Sequence, residues 1–287
     1  MQVVQGLCRR GPAGNRCRRV MVLMVGAGVL YAPHAVAEPL TGADVVRLCD
    51  HKHAGSDQRS RLTIVNRNQD GKEKTNVYLR LWKDYEGRGG VDNKMILFTE
   101  STEGKGTAFM RWEYRARSGK PEDQWLYSPA TRKIRRIAVR DLNESFLGTV
   151  LTIGDISRRP VEADRHRLVR VDYHPPSGRT LLEVQSVPLE DSPRYGKVVS
   201  VFSLRDGWDT CEKNNVFYYD TNDYPLKRQR ITWQRVGDAW SWKQVEVVNV
   251  QTKQASLFRI DDVEVDVGLK DELFTERTLR RGYTTGR

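Results

Sequence analysis

Linkers, long apolar runs and cysteines are scarce in this chain, and each scarcity limits what the protein can be. No Ser/Gly tract, Pro-rich run or long charge block divides the 287 residues, so the sequence predicts one domain after any targeting segment. The main apolar run, residues 20–31, is about a dozen residues long, which is too short for a membrane-spanning helix. Of the four Cys, Cys8 and Cys17 fall within the first 37 residues.

Motifs of common enzymes and metal sites are also missing. The segment Gly104-Lys105-Gly106-Thr107 lacks the spacing of a phosphate-binding loop, and neither a Gly-x-Ser-x-Gly elbow nor a His-Glu-x-x-His motif occurs. His51 and His53 flank Lys52 without an evident third ligand. We therefore expect no catalytic residues, no metal site and no cofactor.

The first 37 residues have the three-part pattern of a secretory signal peptide. An arginine-rich start, the apolar stretch at residues 20–31 and the small-residue end Ala35-Val36-Ala37 follow one another. We expect cleavage between Ala37 and Glu38, which leaves residues 38–287 as a soluble mature domain outside the cytoplasm. Loss of the five Arg in this segment lowers the net charge from +11 to +6. The remaining basic surface favours an anionic lipid or an acidic partner over nucleic acid.

Cys49 and Cys211 are the cysteines of the predicted mature chain. In an oxidising compartment the two could form one disulfide between the N-terminal segment and the second half of the chain. Spacing along the sequence does not tell how far apart they lie in space, so a bridge and two buried thiols both stay open.

Alternating apolar and polar residues predict a mainly β fold. Residues 61–65 and 76–82 are rich in strand-forming residues and are separated by Asp70-Gly71, which is a hairpin signal. Similar runs continue to residue 265 with turn residues between them, so we expect about 10–12 antiparallel strands in hairpin order.

Two segments break the strand pattern and are candidates to cover the sheet. Thr41 and Asp44 form a capping-box pattern before a short apolar helix. Residues 140–156 carry apolar residues beside Gly148 and Gly154, where glycine allows hinge-like backbone angles. This central interval is either a mobile lid over an apolar cavity or an ordinary helix packed on a core.

Several segments, in this order and spacing, resemble a known family. They are Gly104-Lys105-Gly106-Thr107-Ala108-Phe109, Trp125-Leu126-Tyr127-Ser128-Pro129-Ala130 with residues 133–137, Glu144-Ser145-Phe146-Leu147-Gly148-Thr149 with Gly154-Asp155-Ile156, Tyr218-Tyr219-Asp220 with Tyr224-Pro225-Leu226, and Phe274-Thr275 with residues 279–282. The set resembles the outer-membrane lipoprotein-sorting-like proteins, a periplasmic family related in fold to the lipoprotein carrier LolA. The likeness extends from Leu40 to Gly282.

The resemblance implies a single-domain, unclosed antiparallel β-barrel with an apolar inner face covered by helices. It also implies a periplasmic protein that carries acyl chains between the inner and outer membranes, often beside an inner-membrane exporter of the resistance-nodulation-division (RND) class. Lipoproteins are not implied as the cargo, since many members of the family look like carriers of other lipids. We expect a monomer.

Candidate contact residues follow from the strand pattern and the central interval. Those expected to line the cavity or form the lid are Leu79, Leu81, Phe109, Trp125, Tyr127, Phe146, Leu147, Val150, Leu151 and Ile153. The basic cluster expected to meet lipid phosphates or an acidic transporter surface is Arg132, Lys133, Arg135 and Arg136. For Trp125 and Tyr127 a plain core pair is the alternative, and for the basic cluster it is a solvated strand edge that discourages aggregation.

The sequence therefore predicts a periplasmic carrier of lipid or lipoprotein without catalytic activity. One alternative is an accessory subunit that docks on an exporter without carrying lipid. The other is a periplasmic enzyme acting on lipid or glycan. A cavity of several hundred Å³ would favour the carrier, and a filled interior would favour the docking subunit. A polar cleft with paired acid and base groups would favour the enzyme.

Overall fold

The computed structural model describes residues 39–283 except 51, 103, 116–117, 119, 138–141 and 191–193. Residues Leu40–Arg287 form one compact unit. The helices are α1 (Gly42–Asp50), α2 (Ile153–Ile156) and α3 (Glu276–Arg281). The strands are β1 (Asp57–Arg67), β2 (Glu73–Asp84), β3 (Val91–Thr99), β4 (Ala108–Tyr114), β5 (Asp123–Ser128), β6 (Lys133–Ile137), β7 (Asp164–His174), β8 (Arg179–Pro188), β9 (Lys197–Leu204), β10 (Glu212–Tyr219), β11 (Pro225–Val236), β12 (Ala239–Asn249) and β13 (Ala255–Val265). Short 3₁₀ turns lie at Phe146–Gly148, Val161–Ala163, Trp208–Thr210 and Asp271–Leu273.

All thirteen strands belong to one sheet, in the order β6-β5-β4-β3-β2-β1-β13-β12-β11-β10-β9-β8-β7. Each neighbouring pair is antiparallel, and β6 and β7 are the two edges, so the sheet does not close into a barrel. The predicted mainly β, unclosed architecture is confirmed. The strand count is one above the expected range of about 10–12.

The centre of the sheet joins the two ends of the domain. β1 pairs with β13, and Leu62 faces Ile260 there, while on its other side β1 pairs with β2 and Leu62 faces Tyr78. The register places these three side chains on one face, because side chains alternate along a strand. The same alternation separates the whole sheet into two faces with different covers.

One face, here called the lid face, packs against the central segment of residues 142–163. Its buried cluster includes residues from both halves of the sheet and from the central segment, among them Leu62, Tyr78, Phe109, Phe146, Leu151, Val216, Ile231 and Phe258. The rings of Phe109 and Phe146 meet edge to face at 5.3 Å between centroids. The central segment therefore supplies apolar side chains that the lid face needs in order to be buried.

The opposite face of β2 to β5 packs against the C-terminal segment. Leu269, Phe274 and Leu279 of this segment are buried with Leu81 and Met110 of the sheet. Phe274 is fully buried and meets Tyr85 edge to face, with 6.5 Å between ring centroids. Thr275 caps α3 by accepting a hydrogen bond from the amide of Thr278.

α1 covers a third cluster at the β7 to β10 end of the sheet. Its capping box is formed as predicted, since the hydroxyl of Thr41 accepts from the Asp44 amide at 3.2 Å and the Asp44 carboxylate accepts from the Thr41 amide at 3.1 Å. Val45 is buried against Phe202. A disulfide joins Cys49 to Cys211 across 162 residues and fastens α1 to the start of β10.

We predict that Phe274→Ala destabilises the protein by about 3–5 kcal/mol, because it removes a fully buried ring and leaves a cavity between the C-terminal segment and the sheet. Urea unfolding measures the loss. Tyr224→Ala is the control, since that ring is 66% exposed and its removal should change the free energy of unfolding by less than about 0.5 kcal/mol. Equal effects of the two substitutions would contradict a structural role for the C-terminal segment.

Candidate functional site

A cavity of about 630 Å³ lies between the lid face and the central segment. Its apolar walls come from the sheet and include Val198, Phe202, Val216, Ile231 and Trp233. α1 closes one side with Val46 and Cys49, so the disulfide also holds a wall of the cavity. A smaller cavity of about 220 Å³ lies across residues 154–160 from the first, beside Gln124, Ile137 and Leu142.

Charged side chains also line the large cavity. Asp155, Arg158 and Arg159 come from the central segment, and Arg194 comes from the approach to β9. Arg158 forms an ion pair with Asp92, and Arg159 forms one with Asp164 at 2.8 Å. The cavity is therefore amphipathic. The sheet supplies apolar side chains together with polar ones such as His166, Lys213 and Gln229, and the central segment supplies charged ones.

The central segment is anchored to the sheet by a buried ion pair. The Nζ of Lys227 on β11 donates to the Oδ2 of Asp155 at 2.7 Å and to the hydroxyl of Tyr195 at 2.8 Å, and the Tyr195 hydroxyl donates to the Oδ1 of Asp155 at 2.7 Å. The side chains of Asp155 and Lys227 are 1% and 6% exposed. Such a pair is stable only when its hydrogen bonds are satisfied, as they are here.

Local structure places Asp155 for this contact. Thr152 caps α2, and the Oδ2 of Asp155 accepts a hydrogen bond from the Thr152 amide at 2.8 Å, which completes a capping box. The same carboxylate thus fixes the start of α2 and binds Lys227. A four-residue helix is marginal alone, so its position depends on this contact with the sheet.

Burial controls protonation within this cluster. It lowers the pKa of Lys227, although the adjacent Asp155 carboxylate partly offsets that effect. Burial, together with the negative charge of Asp155, raises the pKa of Tyr195 far above its ordinary value. Tyr195 is thus a neutral hydrogen-bond donor at neutral pH, as its contact with the carboxylate requires.

Two arginines also hold the central segment, through contacts near its start and just after Asp155. The Nη1 of Arg194 donates to the carbonyl of Leu142 at 2.9 Å and to the hydroxyl of Thr152 at 3.1 Å. Gly154 lies against this guanidinium, and a Cβ there would stand 1.8 Å from Nη1, so the glycine serves close packing instead of the expected hinge. Arg111 of β4 donates to the carbonyl of Ile156.

Six predicted contact residues lie on the lid face or in the central segment. Phe109, Phe146, Leu147, Val150, Leu151 and Ile153 all belong to the cluster between them. Leu151 also lines the large cavity. The structure brings these six together as the packed interface between lid and sheet, and their contact with lipid stays a prediction.

The other four predicted cavity residues lie on the opposite face. Leu79, Leu81, Trp125 and Tyr127 pack in the cluster that contains the C-terminal segment, so their expected place in the cavity is corrected. The alternation along β2 was recognised, but the apolar set of that strand faces the C-terminal segment. Its partner set, with Tyr78 and Trp82, faces the lid, and Trp82 lines the cavity.

The basic cluster lies at one edge of the sheet, on β6 and the turn before it. Arg132, Lys133, Arg135 and Arg136 are exposed. Arg135 pairs with Glu144 at 3.2 Å and Arg136 with Asp123. This edge is distant in strand order from β9 to β11, which supply the anchor of the central segment.

Sequence reasoning missed the residues that anchor the central segment. Asp155 falls within a family-like segment, but no local pattern there predicts that it is the buried partner of a lysine. Lys227 lies in the alternating pattern of β11 at a position that reads as an inward side chain. A lysine at an inward strand position was the available signal, because a buried lysine requires a partner.

Solved structures of other proteins share this fold. A domain described as an outer membrane lipoprotein-sorting protein from Vibrio parahaemolyticus aligns with a TM-score of 0.71 at 20% identity, over 84% of this chain and 98% of its own. A DUF1329 family protein from Desulfovibrio piger ATCC 29098 gives a TM-score of 0.71 at 22% identity, over 83% and 97% of the two chains. A LolA superfamily protein from Nitrosomonas europaea gives a TM-score of 0.59 at 16% identity, over 83% of this chain and 99% of its own.

These likenesses define the class of the protein as an open antiparallel sheet of the LolA-like fold. A family model described as "Uncharacterized protein" matches residues 90–281, which is more than half of the chain, and the chain belongs to that family. No curated protein matches the sequence. Across the described residues, no helix has both the length and the apolar character needed to cross a membrane.

We predict that Asp155→Asn destabilises the protein by about 3–5 kcal/mol, because it leaves Lys227 charged and buried without its carboxylate. The double variant Asp155→Asn with Lys227→Met should lose less free energy of unfolding than the two single variants lose in sum, since the double variant has no unpaired buried charge. Urea unfolding measures these losses, and hydrogen exchange should show residues 145–157 exchanging faster in Asp155→Asn.

Asp223→Asn is the matched control for this ion pair. Asp223 pairs with Lys197 at 2.6 Å, but its side chain is 67% exposed, so its loss should change the free energy of unfolding by less than about 1 kcal/mol. Two results would contradict the anchoring role of Asp155. One is a loss of stability in the double variant that equals the sum of the losses in the single variants, and the other is unchanged hydrogen exchange of residues 145–157 in Asp155→Asn.

Proposed function

We propose that this protein is a periplasmic carrier that binds the acyl part of a lipid or lipoprotein in the cavity beneath the central segment and shuttles it between the inner and outer membranes. The observation that carries the proposal is the covered cavity of about 630 Å³. Its volume falls in the range typical of sites for one small ligand. The LolA-like fold and the lipoprotein-sorting description of one structural neighbour support the same function.

The physical need for such a carrier follows from the cost of exposing an acyl chain to water. Burial of one methylene contributes about 0.8 kcal/mol, so a chain of about sixteen carbons requires roughly 12 kcal/mol of shelter. The floor of Val198, Phe202, Val216, Ile231 and Trp233 offers an apolar surface for that chain. Trp233 also meets Trp242 at 6.3 Å between ring centroids, which gives this floor a rigid aromatic end.

Exchange of ligand requires the central segment to move. In the present state it is fixed by the Asp155–Lys227 pair, by Arg194 and by Arg111. We propose that this state is the closed one and that loading or release separates these contacts. An inner-membrane exporter of the RND class is the proposed partner, and the exposed basic cluster of residues 132–136 is its proposed contact.

An accessory docking subunit without cargo would not need a cavity of this size, so the cavity favours the carrier. The periplasmic location also belongs to the proposal and rests on the signal-peptide pattern of residues 1–37.

Native mass spectrometry of the protein, purified from the periplasm without detergent, tests the carrier. We expect a stoichiometric added mass that organic extraction releases as an acyl-chain compound. A clean unliganded mass that stays unchanged after incubation with membrane lipids would overturn the carrier and favour the docking subunit. N-terminal sequencing of the same sample should begin at Glu38.

We predict that Ser200→Phe abolishes ligand binding, because Ser200 lines the cavity on β9 and a phenyl ring there fills space needed by the acyl chain. Val201→Phe is the matched control, since the next residue of the strand faces the other side of the sheet. Loss of the added mass in both variants, or in neither, would contradict the assignment of this cavity.

A further inference from the structure

Arg194 lies where the central segment, the sheet and both cavities meet. It lines the large cavity and the smaller one. Its Nη1 is occupied by the carbonyl of Leu142 and the hydroxyl of Thr152. Its Nε is buried and has no hydrogen-bond partner. Only one edge of this guanidinium is therefore used to hold the central segment.

The charges around Arg194 do not balance. Arg194 and Lys227 are positive, and Asp155 is the carboxylate bound to Lys227 at 2.7 Å. Tyr195 and Tyr218 stay neutral, because burial raises the pKa of both hydroxyls. Across the residues that the structure describes, no carboxylate lies within 4.0 Å of the Arg194 guanidinium. Arg194, Lys227 and Asp155 together thus carry one net positive charge.

Other arginines of the cavity differ from Arg194 in this respect. Arg158 is neutralised by Asp92, and Arg159 by Asp164 and Glu190. A half-buried cation without a counter-ion is unfavourable unless an anion or water compensates it. Repulsion from Arg194 also contributes to the lowered pKa of Lys227, after the larger effect of burial. A negative group placed beside Arg194 would relieve both effects.

We infer that the cavity takes an amphiphile with an anionic head group, a carboxylate or a phosphate, seated at Arg194, with its acyl chain along Val198, Phe202, Val216 and Ile231. The inference rests on the proposed carrier function and adds to it the charge of the cargo. A guanidinium favours such oxyanions through charge-assisted hydrogen bonds. The apolar floor next to this cation gives the amphiphile its second, uncharged subsite.

Binding of four single-chain amphiphiles, each below its micelle concentration, tests this inference by calorimetry and native mass spectrometry. Palmitate presents a carboxylate, lysophosphatidylglycerol a phosphate with net negative charge, lysophosphatidylcholine a zwitterion and monopalmitoylglycerol a neutral head. We expect the two anionic compounds to bind at least about tenfold more tightly than the neutral one. The tighter of the two identifies the head group, and inorganic phosphate alone measures the head-group contact without the chain.

Variants of Arg194 separate anion binding from its structural contacts. Arg194→Gln should remove the preference, so that the anionic compounds bind no more tightly than monopalmitoylglycerol does to the same variant, and Arg194→Lys should keep a preference because the charge remains. Arg205→Gln, an exposed arginine outside the cavity, is the control and should bind like the wild type. Urea unfolding checks that each variant is folded.

The outcomes distinguish this inference from the proposed function. Equal affinities of the wild type for anionic and neutral amphiphiles would overturn the anionic head group and leave the carrier standing. A preference that persists in Arg194→Gln would overturn the role of Arg194. Failure of all four compounds to bind would overturn the carrier itself.

Discussion

The buried contact of Asp155 with Lys227 is the interaction that fixes the central segment on the sheet. An open sheet of thirteen strands has two faces, and neither can be buried by the sheet alone. The central segment covers one face, but its helix is only four residues long and cannot hold its own position. One carboxylate therefore both starts that helix and fastens it to β11, where its 2.7 Å contact with Lys227 joins side chains that are 1% and 6% exposed.

The two faces of the sheet are covered by segments with different properties. The C-terminal segment inserts Phe274 and Leu279, both almost fully buried, and makes a conventional core with the strands. The central segment combines apolar contacts such as Phe146 with charged anchors and leaves a cavity beside them. Polar anchors are directional, so they hold one arrangement of the central segment closely. The central segment is therefore held by polar as well as apolar contacts, whereas the C-terminal segment is held mainly by apolar packing.

Prediction from the sequence succeeded where local chemistry decides the outcome. The Asp70-Gly71 hairpin, the capping box of Thr41 and Asp44 and the alternation along β2 all appear in the structure. Prediction failed where a strand has two partly apolar faces and either one could have packed against the central segment. The leucines at 79 and 81 are the more apolar set of β2, yet they face the C-terminal segment, whereas Tyr78 and Trp82 face the lid side. An alternating strand shows that two faces exist, but the pattern carries no information about which cover each face receives.

The strands follow from period-two alternation in the sequence, and the turns follow from Asp-Gly and related pairs. The sequence also indicates which segments are not strands, so these features predict a mainly β protein. The tertiary structure alone decided the pairing of β1 with β13, the disulfide between residues 162 apart, and the meeting of Asp155, Arg194, Tyr195 and Lys227. Those four residues come from three separate stretches of chain, and each is unremarkable in its local sequence. Asp155, Tyr195 and Lys227 become partners only because the fold buries them together, which no local pattern can express.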